Sequence, residues 1–294
     1  MIEIECVVDS KSQLGEATYW DAKAQVLWWI DIYGPLIHCT DPAARTDKTW
    51  YAPEYLGTLS VREKGGLIVS MKSGFFFFDP ASGRFDAIVD PESTLVDNRF
   101  NDGKTDRQGR FLSGSMFEAL GKPPAKTGSL WRLDPDLSAH KIVAGVGCSN
   151  GLAWSPDGKT MYFTDSHTNF VWAFDYDPAT GEAENRRVFV DLTEERFIVD
   201  GSTVDAAGNY WLTVPFHGKV LAYDPSGKRM QTIDLPVDLP TCCEFGGKDL
   251  DVLYVTSAVY RRDAKSLAGQ TNPGGLFAIH GLETKGLPLV PFKG

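Results

Sequence analysis

Ser155-Pro156-Asp157-Gly158-Lys159-Thr160-Met161-Tyr162-Phe163-Thr164 sets a turn built on proline, aspartate and glycine directly before a short apolar run. The same unit recurs on both sides of it. Upstream, Trp20-Asp21-Ala22-Lys23 precedes Val26-Leu27-Trp28-Trp29-Ile30, Arg62-Glu63-Lys64-Gly65 precedes Leu67-Ile68-Val69, and Asp106-Arg107-Gln108-Gly109 precedes Phe111-Leu112. Downstream, Asp205-Ala206-Ala207-Gly208 precedes Tyr210-Trp211-Leu212, and Lys248-Asp249-Leu250-Asp251 precedes Leu253-Tyr254-Val255. A turn-plus-strand unit returning every ~40 to 50 residues, with no helical periodicity between, predicts propeller blades. The six copies predict an all-β, six-bladed β-propeller that occupies residues 1–294 as one domain.

Within each predicted blade an Asp-Pro dipeptide marks the outer turn, because proline fixes the backbone just before the return strand. Asp79-Pro80-Ala81-Ser82-Gly83, Asp177-Pro178-Ala179-Thr180-Gly181 and Asp224-Pro225-Ser226-Gly227 are near copies, with Asp41-Pro42 and Asp134-Pro135 as looser ones. The apolar runs before them, such as Gly74 to Phe78, Ser129 to Leu133, Val171 to Phe174 and Val220 to Tyr223, are predicted third strands. Ile2 to Val8 has no blade of its own and is expected to pair with the last blade, closing the ring without an edge. Two stretches break the rhythm. Met116 to Thr127 is expected to form a lid, and Ala258 to Pro273 carries Arg261 and Arg262 in an irregular loop.

Composition narrows the function. A formal net charge of -10 argues against nucleic acid or an anionic membrane as partner. Met1-Ile2-Glu3-Ile4-Glu5 is acidic where a signal peptide is basic and then apolar, so a cytoplasmic protein is expected. Cys6, Cys39, Cys148, Cys242 and Cys243 are odd in number and lack CxxC spacing, which predicts reduced core thiols rather than disulfides or a thiolate metal site. Trp28, Trp29, Trp154, Trp172 and Trp211 are expected to fill space between blades.

In a propeller the loops entering the innermost strands open onto the axis, so equivalent positions in different blades converge. Counting back about ten to twelve residues from the second-strand runs gives Glu16, Asn101, Asn150 and Asp200, all with side-chain oxygens and all with a glycine within two residues. Any one alone reads as a turn dipeptide; four in phase predict an open, oxygen-rich site. Such a site suits Ca²⁺, Mg²⁺ or Mn²⁺, with Zn²⁺ possible but not specially selected. A cation with open positions points to hydrolysis.

These segments resemble the SMP-30/gluconolactonase/LRE family. Leu14-Gly15-Glu16-Ala17-Thr18-Tyr19-Trp20, Asn98-Arg99-Phe100-Asn101-Asp102-Gly103-Lys104, Ser149-Asn150-Gly151-Leu152-Ala153-Trp154-Ser155 and Asp200-Gly201-Ser202-Thr203-Val204-Asp205 carry the resemblance. Phe245 to Leu250 and Gly274 to Phe277 extend it over essentially the whole chain. It implies a six-bladed propeller that hydrolyses sugar lactones with one divalent cation in the central channel. It also implies Glu16, Asn150 and Asp200 as metal ligands, Asp200 as general base, and Arg99 and Asn101 as substrate contacts. Two positions depart from the family pattern. Phe117-Glu118-Ala119 offers one acid where the family often has two, and His217 stands where the family often has an amide; Glu118 and His217 are candidate substrate contacts.

The expected function is therefore a metal-dependent lactonase of the gluconolactonase type, monomeric, taking an aldonolactone. Two alternatives stand beside it. One is an aldarolactone hydrolase, in which the extra carboxylate pairs with Arg99, Arg261 or Arg262. The other is a non-catalytic, calcium-binding regulatory propeller that uses the same Glu16, Asn150 and Asp200.

Overall fold

The computed structural model describes residues 1–294 apart from Leu120. The chain is built of four-stranded antiparallel sheets, six in all among the described residues. The first strand, β1 (Glu3–Val8), stands apart from the blade that follows it. Blade one is β2 (Gly15–Asp21), β3 (Val26–Asp31), β4 (Leu36–Asp41) and β5 (Thr46–Tyr51). Blade two is β6 (Leu56–Val61), β7 (Leu67–Met71), β8 (Gly74–Asp79) and β9 (Arg84–Val89). Blade three is β10 (Asn98–Thr105), β11 (Phe111–Phe117), β12 (Gly128–Leu133) and β13 (Ala139–Val146). Blade four is β14 (Ser149–Trp154), β15 (Thr160–Asp165), β16 (Phe170–Tyr176) and β17 (Ala183–Asp191). Blade five is β18 (Ser202–Val204), β19 (Tyr210–Val214), β20 (Lys219–Tyr223) and β21 (Arg229–Asp234). Blade six is β22 (Pro240–Gly246), β23 (Val252–Ser257) and β24 (Leu276–His280), completed on the outside by β1.

The predicted second and third strands fall on these elements, and the N-terminal segment closes the ring. β1 pairs antiparallel with β24, Glu3 opposite His280 and Cys6 opposite Phe277. The turns form because aspartate satisfies backbone donors locally. Asp106 Oδ1 accepts the amides of Gln108 (2.9 Å) and Arg110 (2.8 Å), and Asp205 Oδ1 accepts those of Ala207 (3.0 Å) and Asn209 (2.9 Å). Gly109 and Gly208 occupy the matching place in these turns at φ +87° and +88°, a region that a β-carbon disfavours.

The inner strands β2, β6, β10, β14, β18 and β22 neighbour one another around the axis. Between each pair of adjacent blades lies one apolar cluster. Trp154 and Phe163 fill the interface of blades three and four, Trp211 and Phe245 that of five and six, and Trp20 and Trp29 that of six and one. The core is thus divided among the blade interfaces, as the tryptophan positions predicted. All five cysteines are free, with Cys242 and Cys243 buried. Among the described residues no helix is long and apolar enough to cross a membrane; the one helix among them, α1 (Ala264–Leu267), sits in the loop after β23.

Residues 284–293 run across the far ends of the inner strands. Phe292 bonds to blade two through Val61 O (2.9 Å), Thr105 Oγ1 donates to Val290 O (2.6 Å), and the Ala206 amide donates to Lys285 O (2.8 Å). Leu287, Leu289 and Val290 close off a cavity of about 20 Å³ beneath Lys104 and Glu244. One end of the axial channel is thereby plugged, which leaves the other end as the way in.

Phe292 is fully buried against Phe111, with ring centroids 6.4 Å apart. Truncating it leaves a void at the plug, and Phe292→Ala should cost about 3–5 kcal/mol, read as a lowered urea midpoint with an unchanged denaturant slope.

Candidate active site at the open end of the axis

Bulges place the polar residues. In five blades the innermost strand breaks register against its neighbour near the open end: between Glu16 and Tyr19, Leu56 and Thr58, Phe100 and Gly103, Asn150 and Ala153, and Pro240 and Cys243. In blade five β18 is cut short, and Asp200 and Gly201 reach β19 through Asp200 N–H to Thr213 O (3.2 Å) and Thr213 N–H to Gly201 O (3.1 Å). A bulge puts two residues opposite one and re-aims their side chains. Here the re-aimed side chains point along the axis. Ala17, the residue after Glu16, takes φ +53°, and Gly151, the residue after Asn150, takes φ +65°.

The result is one cavity of about 990 Å³ lined by Glu16, Arg99, Asn101, Glu118, Asn150 and Asp200 together. These are all but one of the residues that the sequence singled out. His217 is the exception, since it is not among the residues that line the cavity. Its ring packs on Phe197 at 4.6 Å between centroids, while Phe216, at φ +68°, lines the cavity instead.

Glu16 and Asp200 face each other, and their environment favours the protonated form. Burial pushes Asp200 up to about 8, with the charge of Asp102 adding to the effect and Arg99 opposing it. Glu16 is raised well above the usual range, first by burial and then by the charges of Asp200 and Asp102. Asn150 is held in one orientation: its Nδ2 donates to Ser166 Oγ (2.8 Å) while its Oδ1 accepts from Asn101 Nδ2 (3.0 Å). Asn101 Nδ2 also donates to Ser149 O (2.9 Å).

Glu16, Asp200 and Asn150 Oδ1 are the groups that could hold a cation. Among the described residues no three His, Cys, Asp or Glu side chains gather at metal-binding spacing, so a cation here would depend on the amide as well as the two carboxylates. The donor set is all oxygen and fits a hard divalent ion. Two carboxyls raised first by burial, with the charge of Asp102 adding to both, are relieved by either a proton or a cation, and that is the physical basis of the fit.

Three features were missed by the sequence reading. Asp102, next to Asn101, is buried and raised to about 6, first by burial, with Lys104 and the backbone amides of Leu152, Gly103 and Gly151 opposing. Below it Lys104 Nζ bonds to Glu244 Oε2 (2.6 Å) and to Ser202 O (2.9 Å), a buried ion pair that ties blade three to blades five and six. On the cavity wall Tyr33 donates its hydroxyl to Glu118 Oε1 and accepts from Arg99 Nη2 at 3.3 Å. Arg99 spends its other donors on Glu118 Oε2 (2.7 Å), Phe100 O (2.9 Å) and Asn101 Oδ1 (2.7 Å). Glu118 is therefore anchored from two blades. The predicted lid forms part of the wall through Glu118, Ala119, Gly121, Lys122 and Pro124, while Leu120 lies outside the described residues.

The profile of the SMP-30/Gluconolactonase/LRE-like region matches residues 14–259. A regucalcin from Gallus gallus is 38% identical over 297 residues, covering 100% of this chain and 99% of that protein. A solved structure described as a calcium-binding protein, regucalcin, from Agrobacterium tumefaciens superposes with a TM-score of 0.92 at 27% identity, covering 98% of this chain and 96% of that one. A luciferin-regenerating enzyme gives the same TM-score, 0.92, at 28% identity with both chains fully covered.

Tyr33→Phe removes the hydroxyl that joins Glu118 to Arg99. It should cost about 1 kcal/mol and loosen the segment after Glu118, so trypsin should cut faster at Lys122 and Lys126 than in the wild type, with unchanged cutting elsewhere.

Proposed function

The chain belongs to the SMP-30/gluconolactonase/LRE family, and from that membership we propose that it is a divalent-cation-dependent hydrolase that opens sugar lactones to the sugar acid. The observation that carries this reading is the facing pair Glu16 and Asp200 with Asn150 in one open cavity. We also place the protein in the cytoplasm, which the free state of all five cysteines supports. A monomer suffices, since one chain supplies the whole cavity lining.

Bound by Glu16, Asn150 and Asp200, a divalent cation would supply Lewis acidity to a lactone carbonyl and to nearby water. The protein's own residues do the rest. Asp200 takes a proton from the water that attacks the carbonyl carbon, the acyl bond to the ring oxygen breaks, and Asp200 returns the proton to that oxygen as it leaves as a hydroxyl. Arg99, fixed by Glu118 and Tyr33, keeps one Nη2 hydrogen to donate to an oxygen of the substrate, and Asn101, whose amide hydrogens go to Ser149 and Asn150, holds Asn150 in place beside it. Glu118 offers its carboxylate to a sugar hydroxyl.

A second reading, a cation-binding regulator without turnover, has support in the names of the regucalcin relatives. The two readings part on activity. Metal-stripped protein should open at least one class of sugar lactone once Ca²⁺, Mg²⁺, Mn²⁺ or Zn²⁺ is restored. Asp200→Asn should lower kcat by between about 100- and 10,000-fold while the protein stays folded; turnover at the wild-type level in that variant sinks the mechanism.

The raised carboxyls also predict a pH dependence. A folded-state pKa raised from 3.8 to about 8 means that the folded protein holds a proton the unfolded chain has released, so stability is present at low pH and is lost as pH rises toward 8. Cation-free protein should therefore melt at a lower temperature near pH 8 than at about pH 5.5. Adding the cation should reverse the difference and release protons at neutral pH, which calorimetry in buffers of different ionisation enthalpy would count.

A further inference from the structure

One wall of the cavity runs from the reactive floor to the rim as a connected aromatic arc. Tyr33, in contact with Arg99 and Glu118, stacks on Tyr260 with centroids 4.6 Å apart and planes at 30°. It meets Tyr55 edge-on at 5.2 Å and 85°. A basic residue flanks each end of the arc. The Arg261 guanidinium lies 4.8 Å from the centre of the Tyr260 ring, the Lys72 backbone amide donates to Tyr55 O at 2.9 Å, and both residues line the cavity.

The neighbouring cations are already engaged. Arg99 is bound to Glu118 and Asn101, Lys122 lies 2.5 Å from Asp97, and Arg262 pairs with Asp238. Among the described residues no carboxylate lies within ion-pairing distance of Arg261 or Lys72. Arg261 is held at φ +54°, a backbone setting that residues with a β-carbon avoid, by a turn closed through the Arg262 amide and Val259 O (3.0 Å). Two uncompensated cations at the mouth of a chain with net charge -10 mark the place where an anion is drawn in.

We propose that Tyr33, Tyr55, Tyr260, Arg261 and Lys72 form a second subsite, which takes an anionic group, carboxylate or phosphate, at the end of the lactone remote from its carbonyl. This rests on the reading of the floor as a lactonase site. With the carbonyl at Glu16 and Asp200, the sugar ring lies along the tyrosine faces and its distal anion reaches the cations at the rim. The cavity of about 990 Å³ leaves room for a substituent beyond a single ring.

The test compares three lactones with the cation supplied: a neutral aldonolactone, an aldarolactone with a distal carboxylate, and an aldonolactone with a distal phosphate. The wild type should open at least one anionic lactone with a kcat/KM about tenfold or more above the neutral one, and which of the two it prefers identifies the group. Arg261→Ala with Lys72→Ala should erase that advantage through KM, leave the neutral lactone within about twofold, and remove the salt dependence of the anionic substrate. Equal kcat/KM for neutral and anionic lactones in the wild type, or an equal loss on both in the double variant, overturns the subsite. Calorimetric binding of the corresponding ring-opened acids, a sugar diacid and a phosphorylated sugar acid, reads the same subsite without turnover. Tighter binding by the wild type than by the double variant supports it even if no lactone is opened, an outcome that would refute the hydrolase reading alone. Equal affinity of both proteins for both acids overturns it.

Discussion

Everything at the open end follows from setting Glu16 and Asp200 against each other where water is scarce. Two carboxyls in that position cannot both ionise cheaply, and the structure holds them there with Asp102 close enough to add to the repulsion. The fold tolerates the arrangement because six blades share the cost of fixing it. Each blade interface supplies its own apolar cluster, and Lys104, itself paired with Glu244, sets a positive charge near Asp102. The strain is concentrated at a few bulged residues and the stability is spread around the ring, so a site that disfavours itself can sit on a scaffold that does not yield.

The bulges connect the scaffold to the chemistry. A regular inner strand would send alternate side chains to the two faces of its blade, toward the neighbouring blades and away from the axis. Breaking register at one level in β2, β10 and β14 turns Glu16, Asn101 and Asn150 toward a common point, and the shortened β18 does the same for Asp200. Tyr33 and Arg99 then lock the wall segment that carries Glu118, so one side of the cavity is fixed by hydrogen bonds between blades one and three.

Much of this was legible because its signals are local. The Asp-x-x-Gly turns and the Asp-Pro turns each occupy a few consecutive residues, and their aspartates bond the amides that follow them, so the blade count and the axial phase of Glu16, Asn101, Asn150 and Asp200 could be read from spacing. Other features depend on which residues meet across blades. Tyr33, Tyr55 and Tyr260 come from three separate blades or loops, and nothing in their flanking sequence marks them as neighbours. Asp102 was within a quoted motif, but a strand that alternates normally would have turned it away from its neighbour Asn101, and only the bulge between Phe100 and Gly103 brings both near the axis. That Phe216 and not its neighbour His217 lines the cavity was likewise not legible, because the left-handed φ of Phe216 is a backbone setting that the residue types Phe-His-Gly do not declare.

The pairing of β1 with β24 also sets a schedule. During synthesis β1 is made before all the blades and its partner after them, so the ring cannot shut until nearly the whole chain has left the ribosome. Such long-range closure is slow, and an unpaired strand invites association with other chains while it waits. β1 meets this with charge. Glu3 and Glu5 stay exposed even in the finished protein, and on the waiting strand they repel a second copy of themselves. Until β24 is in place, like charges at these two positions disfavour pairing of one unclosed β1 edge with another.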